Sequence, residues 1–404
     1  MNKLTIDDVE LRNKRVLVRV DFNVPLDKSG NVTDDTRIAA SLPTIKKILK
    51  SGGKAILMSH LGRPKGKRSP EFSLRPCAKR LGDLLGRPVQ FVEDCVGPAV
   101  EAAVAGLGTG ECLLLENLRF YAEEEKNDPE FSSKLAALAD VYLNDAFGSA
   151  HRAHASTEGI TRFVKQSAAG YLMQKEVEYL GKALTNPARP FVVILGGAKI
   201  SEKLLVIENL LHKTNATLIG GGMAFTLIKA QGGSIGSSLL EEDRIDYCRN
   251  LLSQVKTKNQ RLILPVDCVV ADNPDASKKE VVPIQSIPDN KKGLDIGPQS
   301  VNIFGREIEK SKTIVWNGPL GMFENQAFAN GTNSIARQIA KATERGAISI
   351  IGGGDTAAAV AKLGLEKKMS HVSTGGGASL EFLEGKVLPG VAALTDKKLE
   401  VKLA

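Results

Sequence analysis

Short apolar runs separated by helix-length amphipathic segments recur along this chain, and that alternation is its most constraining feature. The runs fall at residues 15–22, 55–60, 112–117, 141–147, 191–196, 217–222, 262–270, 313–317 and 348–352. Strand-length runs alternating with helices form βαβ units, whose crossovers are right-handed and whose sheets are largely parallel. A chain of 404 residues is too long for one ordinary core, so the runs predict two sheets in two domains. With one Trp, five Tyr and thirteen Phe, burial falls to aliphatic side chains and Ala, as expected for parallel strands covered on both faces. The expected fold class is α/β: two doubly wound domains, each a mostly parallel sheet flanked by helices, joined by a hinge helix with an interdomain cleft.

The junction is read from composition. Residues 166–185 are rich in Ala, Leu, Met, Lys and Glu and favour helix, whereas Asn186-Pro187-Ala188-Arg189-Pro190 cannot continue one. This places a first domain at residues 1–170, an interdomain helix and hinge at 171–190, a second domain at 191–385 and a tail at 386–404. An ordinary surface helix and loop fits the same pattern.

The formal charge of +8 admits nucleic acid or an anionic membrane as partner, but the basic residues are spread along the chain and not interleaved with aromatics. Neither partner is therefore expected. Cys77, Cys95, Cys112, Cys248 and Cys268 stand singly, without C-x-x-C pairs or His at metal-ligand spacing, which suits a reducing compartment. No run approaches the roughly 18 apolar residues of a membrane span, and Met-Asn-Lys-Leu-Thr-Ile-Asp-Asp lacks a signal peptide's apolar stretch. The expectation is a cytoplasmic protein.

Doubly wound sheets bind ligands beyond the carboxyl ends of their strands. In the first half those places hold Asp21 and Asn23, then Arg37, His60 and Arg63, Asn117 and Arg119, and Asp145 followed by His151, Arg152 and His154. Guanidinium forks match phosphate and carboxylate oxygens, so Arg recurring at successive strand ends points to a small polyanion. Taken singly, each Arg also reads as a solvated loop charge and each His as structural.

In the second half the strand ends are glycines: Gly196-Gly197-Ala198-Lys199, Gly220-Gly221-Gly222, Gly352-Gly353-Gly354-Asp355 and Gly375-Gly376-Gly377. Glycine lets backbone approach a ligand, and a following helix offers unpaired N–H groups to phosphate, the pattern of a nucleotide site. A purely steric need for a tight turn explains any one of them equally. Neither G-x-x-x-x-G-K-[ST] nor G-x-G-x-x-G occurs, so a Walker-type NTPase and a dinucleotide fingerprint lack support. Lys199 and Lys203, four apart in a segment expected to turn helical, would share one face and reach phosphate, or simply face solvent. Asp355 fits either a Mg²⁺ carboxylate or the cap of the Ala-rich helix at 356–362; Glu324 is open in the same way.

Taken together these strings resemble the phosphoglycerate kinase family nearly end to end. The resemblance rests on R-V-D-F-N-V-P at 19–25, S-H-L-G-R-P at 59–64, E-N-L-R-F at 116–120 and N-D-A-F-G-S-A-H-R-A-H-A-S at 144–156. It continues with G-G-A-K-I-S-E-K at 196–203, V-W-N-G-P-L-G-M-F-E at 315–324, G-G-G-D-T at 352–356 and S-T-G-G-G-A-S-L-E at 373–381. The linking helix departs slightly, reading Met173-Gln174-Lys175-Glu176-Val177 where relatives more often end in Lys-Glu-Leu.

The resemblance implies a reversible glycolytic transfer from 1,3-bisphosphoglycerate to Mg-ADP, giving 3-phosphoglycerate and Mg-ATP, in a monomer whose tail packs on the first domain. It implies an acid-sugar site of Asp21, Phe22, Asn23, Arg37, His60, Leu61, Gly62, Arg63, Arg119 and Arg152. It implies a nucleotide site of Lys199, Lys203, Gly293, Leu294, Asn317, Pro319, Glu324, Gly352, Gly353, Gly354, Asp355, Thr356 and Thr374, with Asp355 the magnesium carboxylate. Arg37 and Lys199, with backbone N–H groups at Gly375 and Gly376, are expected to bridge the transferred group. A non-catalytic polyanion or nucleotide binder and a nicotinamide oxidoreductase are the competing classes. The intact Arg37, Lys199, Lys203 and Asp355 weigh against the first, and the missing glycine fingerprint against the second.

Overall fold

The computed structural model describes residues 2–276 and 278–397. The chain separates into two compact units: one runs to Glu178 and resumes at Val387, the other is Tyr179–Lys386. The last part of the expected tail, residues 398–404, lies outside the described residues.

The first unit carries β1 (Arg15–Arg19), β2 (Lys54–Met58), β3 (Gln90–Val92), β4 (Cys112–Leu115), β5 (Val141–Asn144) and β6 (Ser167–Ala169) in one sheet of order β3-β4-β2-β1-β5-β6. Every neighbour pair is parallel. β4 and β5 are buried along their whole length, because helices cover both faces and leave no polar side to the sheet. Val16, Val18, Leu57, Leu114 and Leu143 pack with Ile38 and Ile45 of the helix Thr36–Lys50.

The second unit carries β7 (Phe191–Leu195), β8 (Ala216–Ile219), β9 (Ser234–Ile235), β10 (Leu262–Ile263), β11 (Asp267–Ala271), β12 (Glu280–Pro283), β13 (Ser286–Ile287), β14 (Lys292–Ile296), β15 (Thr313–Asn317), β16 (Ile348–Gly352) and β17 (His371–Val372). Its main sheet, β10-β8-β7-β15-β16-β17, is again parallel throughout. Ile194, Trp316 and Ile351 pack there against Phe304 and Ile335.

One sequence expectation is corrected here. Residues 262–270, read as a single strand, form two: β10 extends the parallel sheet, while β11 pairs antiparallel with β12 and β14 in a separate three-stranded sheet. Pro265 stands between them and has no N–H for a ladder. The next two N–H groups, of Val266 and Asp267, donate to Ser300 Oγ at 2.9 and 3.1 Å. Phe225, Cys268, Val270 and Ile284 give this small sheet a core of its own.

Residues 167–169, expected as the start of a helix, are the edge strand β6, and the helix is Tyr171–Thr185. Asp145 Oδ1 accepts the N–H groups of Leu172 and Met173 at 2.9 and 3.2 Å, so the end of β5 caps this helix. The division between the units falls within it. In the first unit the returning segment is tied down by Lys3 Nζ, which donates to the Ala392 and Leu394 carbonyls at 2.7 and 2.8 Å.

Candidate active site

In the first unit the ends of β1, β2, β4 and β5 bring most of the polar residues read from the sequence together. Arg37 sits in the first turn of its helix, and its Nη1 donates to both oxygens of Asp21, at 3.2 and 3.1 Å, and to the Asn23 carbonyl at 3.3 Å. Asn23 Oδ1 in turn accepts the Gly62 N–H at 2.9 Å. The Gly62 carbonyl accepts Arg119 Nη1 at 2.8 Å. The loops after three strands are thereby linked in one chain of bonds.

Asn117 secures that arrangement from below. Its amide donates to the Leu61 and Phe72 carbonyls, both at 2.8 Å, and its Oδ1 accepts the Arg119 N–H at 3.0 Å. Phe22 and Leu61 point into the hydrophobic core, so they can meet a ligand only through backbone. Arg63 is exposed. Arg152 bonds through Nε to His151 Nε2 at 3.2 Å.

Electrostatics concentrate on His60, which is 5% exposed. Burial first, then the positive charges of Arg19, Arg119 and Arg37, hold its imidazole well below the usual histidine range. His154 is driven down to about 3 by burial and by Arg19, Arg119 and Arg152. Both rings are therefore neutral at pH 7, and the positive charge of the cluster is carried by guanidiniums. A cluster of buried and half-buried cations that the protein only partly neutralises has the chemistry to receive an anion.

The sequence reading gave no role to Arg19 or Glu124. Arg19 is fully buried and bonds His60, Ser156 and the Val20 carbonyl; an Arg set between the apolar residues Val18 and Val20 was the available signal. Glu124 is fully buried although it belongs to a run of three glutamates that reads as a solvated face.

The second unit presents a different surface. A cavity of about 360 Å³ is walled by Gly197, Ala198, Phe225, Leu239, Gly293, Leu294, Pro319 and Met322, with Glu324 and Asp355 among its lining residues. Of these, Phe225, Leu239 and Met322 escaped the sequence reading, because apolar residues in helices and loops carry no local mark of a ligand. Several glycines here answer to neighbouring chain before any ligand. A Cβ on Gly196 would lie 2.1 Å from the Pro319 carbonyl oxygen, and one on Gly293 would lie 2.2 Å from the Phe225 ring. Around Gly354, by contrast, a Cβ would meet nothing within 4 Å.

Lys199 and Lys203 do not share a helical face, contrary to expectation. Residues 196–203 form a loop, the helix begins at Leu204, and Lys203 is its N-cap residue. The Gly197 N–H is drawn to the Pro319 carbonyl at 2.9 Å and the Gly197 carbonyl accepts from Met223, which holds the segment out of helix. Lys199 is exposed; Lys203 donates to Asn317 Oδ1 at 2.6 Å, and burial lowers its ammonium pKa. Asn317 Nδ2 is buried without a hydrogen-bond partner, a donor available to an incoming acceptor.

Asp355 is not the cap of its helix. The helix Gly354–Lys362 is capped at Gly353, and Asp355 stands exposed in its first turn while Thr356 Oγ1 accepts the Gly318 N–H at 2.7 Å. Among the described residues no three His, Cys, Asp or Glu side chains gather into a protein-only metal cage. Mg²⁺ needs no such cage, since it takes one or two carboxylates and completes its octahedron with phosphate and water, and the exposed Asp355 suits that donor set. Thr374, Gly375 and Gly376 lie between β17 and the helix Gly377–Leu383, with the Gly375 N–H bonded to Ser373 Oγ at 3.1 Å.

Comparison with known proteins gives a consistent result. The family model described as phosphoglycerate kinase matches residues 6–386. The chain is 57% identical to a phosphoglycerate kinase of Chloroherpeton thalassium over 98% of its own length and 100% of the relative's. It is 57% identical to cytosolic phosphoglycerate kinase 3 of Arabidopsis thaliana over 97% and 98%. Among solved structures it resembles the phosphoglycerate kinase of Coxiella burnetii, with a TM-score of 0.88, 42% identity and coverage of 97% and 98%. That of Pyrococcus horikoshii follows the same fold with a TM-score of 0.83, 32% identity and the same coverage.

Proposed function

Because this chain belongs to the phosphoglycerate kinase family, we propose that its two units divide the reaction, the first gripping the acid phosphate and the second the nucleotide. The reaction is the reversible passage of a phosphoryl group between 1,3-bisphosphoglycerate and ADP, giving 3-phosphoglycerate and ATP. The observation that carries the proposed division is the convergence of Arg37, His60 and Arg119 on linked loops of the first unit.

In that unit Arg37, Arg63, Arg119 and Arg152 supply positive charge to phosphate and carboxylate oxygens, and Asn23, His60 and the backbone of Phe22, Leu61 and Gly62 supply neutral groups. Asp21 is an acceptor only; it orients Arg37 and can accept the hydroxyl of the bound acid. In the second unit the base lies in the apolar cavity among Gly293, Leu294 and Pro319. Its phosphates run toward Lys199, Lys203, Asn317, Thr374 and the helix start at Gly352, Gly353, Gly354 and Thr356, where N–H groups and the helix dipole favour negative charge.

Asp355 would hold the nucleotide's Mg²⁺, which when bound neutralises charge on the phosphate oxygens, and Glu324 lines the nucleotide cavity. No general base is needed, since the attacking oxygen is already ionised; the protein's work is alignment and charge compensation. Arg37 and Lys199 meet the equatorial oxygens of the transferred group, joined by N–H groups at Gly375 and Gly376 once the Gly375 bond to Ser373 exchanges. Reacting atoms must come within about 3 to 3.5 Å, so substrates held on separate units require a closing motion, with residues 171–190 as the hinge.

A spectrophotometric assay of ATP formation from 1,3-bisphosphoglycerate and ADP tests the activity. Separate titrations with 3-phosphoglycerate and ADP, followed by amide NMR, test the division: shifts for each ligand should stay within its own unit. We further place the chain in the cytoplasm as a monomer of 43.2 kDa without nucleic-acid or membrane partners. One Arabidopsis relative is named cytosolic and two chloroplastic. Light scattering and cell fractionation check both points.

A further inference from the structure

We infer that Arg19, backed by Ser156 and Glu124, is a positioning residue that fixes the tautomer of His60, leaving the ring's Nε2–H as the donor offered to the bound acid. The inference rests on the placement of the phosphoglycerate site proposed above.

Arg19 is 1% exposed, and each of its nitrogens is already engaged: Nε donates to Ser156 Oγ at 2.9 Å, Nη1 to the Val20 carbonyl at 2.5 Å, and Nη2 lies 3.0 Å from His60 Nδ1. It is therefore not placed to grip a ligand itself. A guanidinium has no acceptor and stays protonated, so the bond to His60 has one possible polarity. Nδ1 accepts, the ring is neutral, and its single proton is on Nε2.

The same directionality continues behind Arg19. Ser156 Oγ accepts from Arg19 while donating to Glu124 Oε1 at 2.6 Å, and the Ser156 N–H donates to Glu124 Oε2 at 3.0 Å. Glu124 and Ser156 are both 0% exposed. Tyr142 Oη donates to the Ser156 carbonyl at 2.7 Å and holds that residue in place. One hydroxyl thus bridges a buried cation and a buried carboxylate, and every donor and acceptor from Glu124 to His60 is assigned. The other titratable groups bearing on the ring are Arg119, Arg37 and the neutral His154. The arginines also disfavour a second proton on it.

The consequence is a division of tasks among cations. Arg37 and Arg119 face the ligand, whereas Arg19 acts on it only through an imidazole whose proton it places. An anionic substrate gains from a ring that presents N–H and would lose from one that presents a lone pair.

Long-range ¹H–¹⁵N NMR of the five histidine rings, with His60 assigned by the signal lost in His60→Gln, tests this on the whole protein. At pH 7 the ligand-free wild type should show His60 neutral, with a bare Nδ1 and a protonated Nε2. Arg19→Lys and Ser156→Ala should each convert it to a mixture of forms. Each should raise KM for 3-phosphoglycerate about tenfold while leaving KM for ATP within about twofold; Ser156→Ala, which removes only a hydroxyl, serves if the Lys variant does not fold. A wild-type His60 carrying its proton on Nδ1, or a tautomer unchanged in both variants, overturns the inference. A His60 of the inferred form that ignores added 3-phosphoglycerate refutes the placement of the site and with it the donor role. An Nδ1–H ring that does respond refutes the relay alone.

Discussion

Replacing Arg37 by Ala should lower kcat about 10³-fold and leave ADP affinity within about twofold. The magnitude follows from the geometry. Nη1 is held by Asp21 and the Asn23 carbonyl, which fixes the plane of the guanidinium and leaves Nε and Nη2 for the transferred group. Two charge-assisted bonds of about 1.5–3 kcal/mol each amount to about 3–6 kcal/mol, or about 10² to 10⁴ in rate. Asp21→Asn weakens the orienting pair and should cost about tenfold on its own. Because Asp21 orients Arg37, the cost of the same change should shrink several-fold in an Arg37→Ala background. Steady-state rates of ATP formation for the four proteins, with ADP binding followed by calorimetry, complete the cycle. A loss below tenfold for Arg37→Ala, or a full tenfold effect of Asp21→Asn in its absence, would refute the assignment.

Gly293→Ala would drive a methyl into the Phe225 ring, so KM for ADP should rise about tenfold while KM for 1,3-bisphosphoglycerate holds; equal changes in both would show a global defect instead. Leu114→Ala removes a fully buried side chain from the first unit's core and should destabilise that unit by about 2–5 kcal/mol, read from the urea midpoint. Asp295, bonded to the Ile296 and Gly331 N–H groups, is pushed by burial up to about 7. Between its unfolded value near 3.9 and that figure the native state holds the extra proton, so stability from this group is present at low pH and lost as pH rises to 7. Relative to Asp295→Asn, wild type should therefore lose about 2–3 kcal/mol between pH 5 and 8; parallel curves would remove Asp295 from that role. All five cysteines are buried, and burial raises the Cys77 and Cys112 thiols to about 12. Ellman's reagent at pH 8 should accordingly react only at the rate of unfolding.

The alternation of apolar runs foretold two parallel sheets because strand and helix periods are written locally and crossover geometry does the rest. The polar residues at strand ends were legible for a similar reason: a doubly wound sheet delivers its loops to one edge, whatever the details of packing. Legibility failed where a residue's neighbours lie far along the chain. Pro265 marked the break between β10 and β11, but nothing local says that the second piece should pair antiparallel with β12 and β14. Spacing put Lys199 and Lys203 on one helical face, yet bonds from Gly197 to Pro319 and Met223 keep that segment a loop.

What the sequence determined by itself is the class of fold, the family and the identity of most charged groups at the first unit's strand ends, since these depend on short-range pattern and on residue types in order. Tertiary structure alone decided which charges act on which. Arg19 and Glu124 read as a strand residue and a surface acid until folding buries both and joins them through Ser156, and Phe225 becomes a cavity wall only beside Gly293. Burial and hydrogen-bond polarity are properties of neighbours in space, and they set the charge of His60, the orientation of Arg37 and the shape of the apolar cavity.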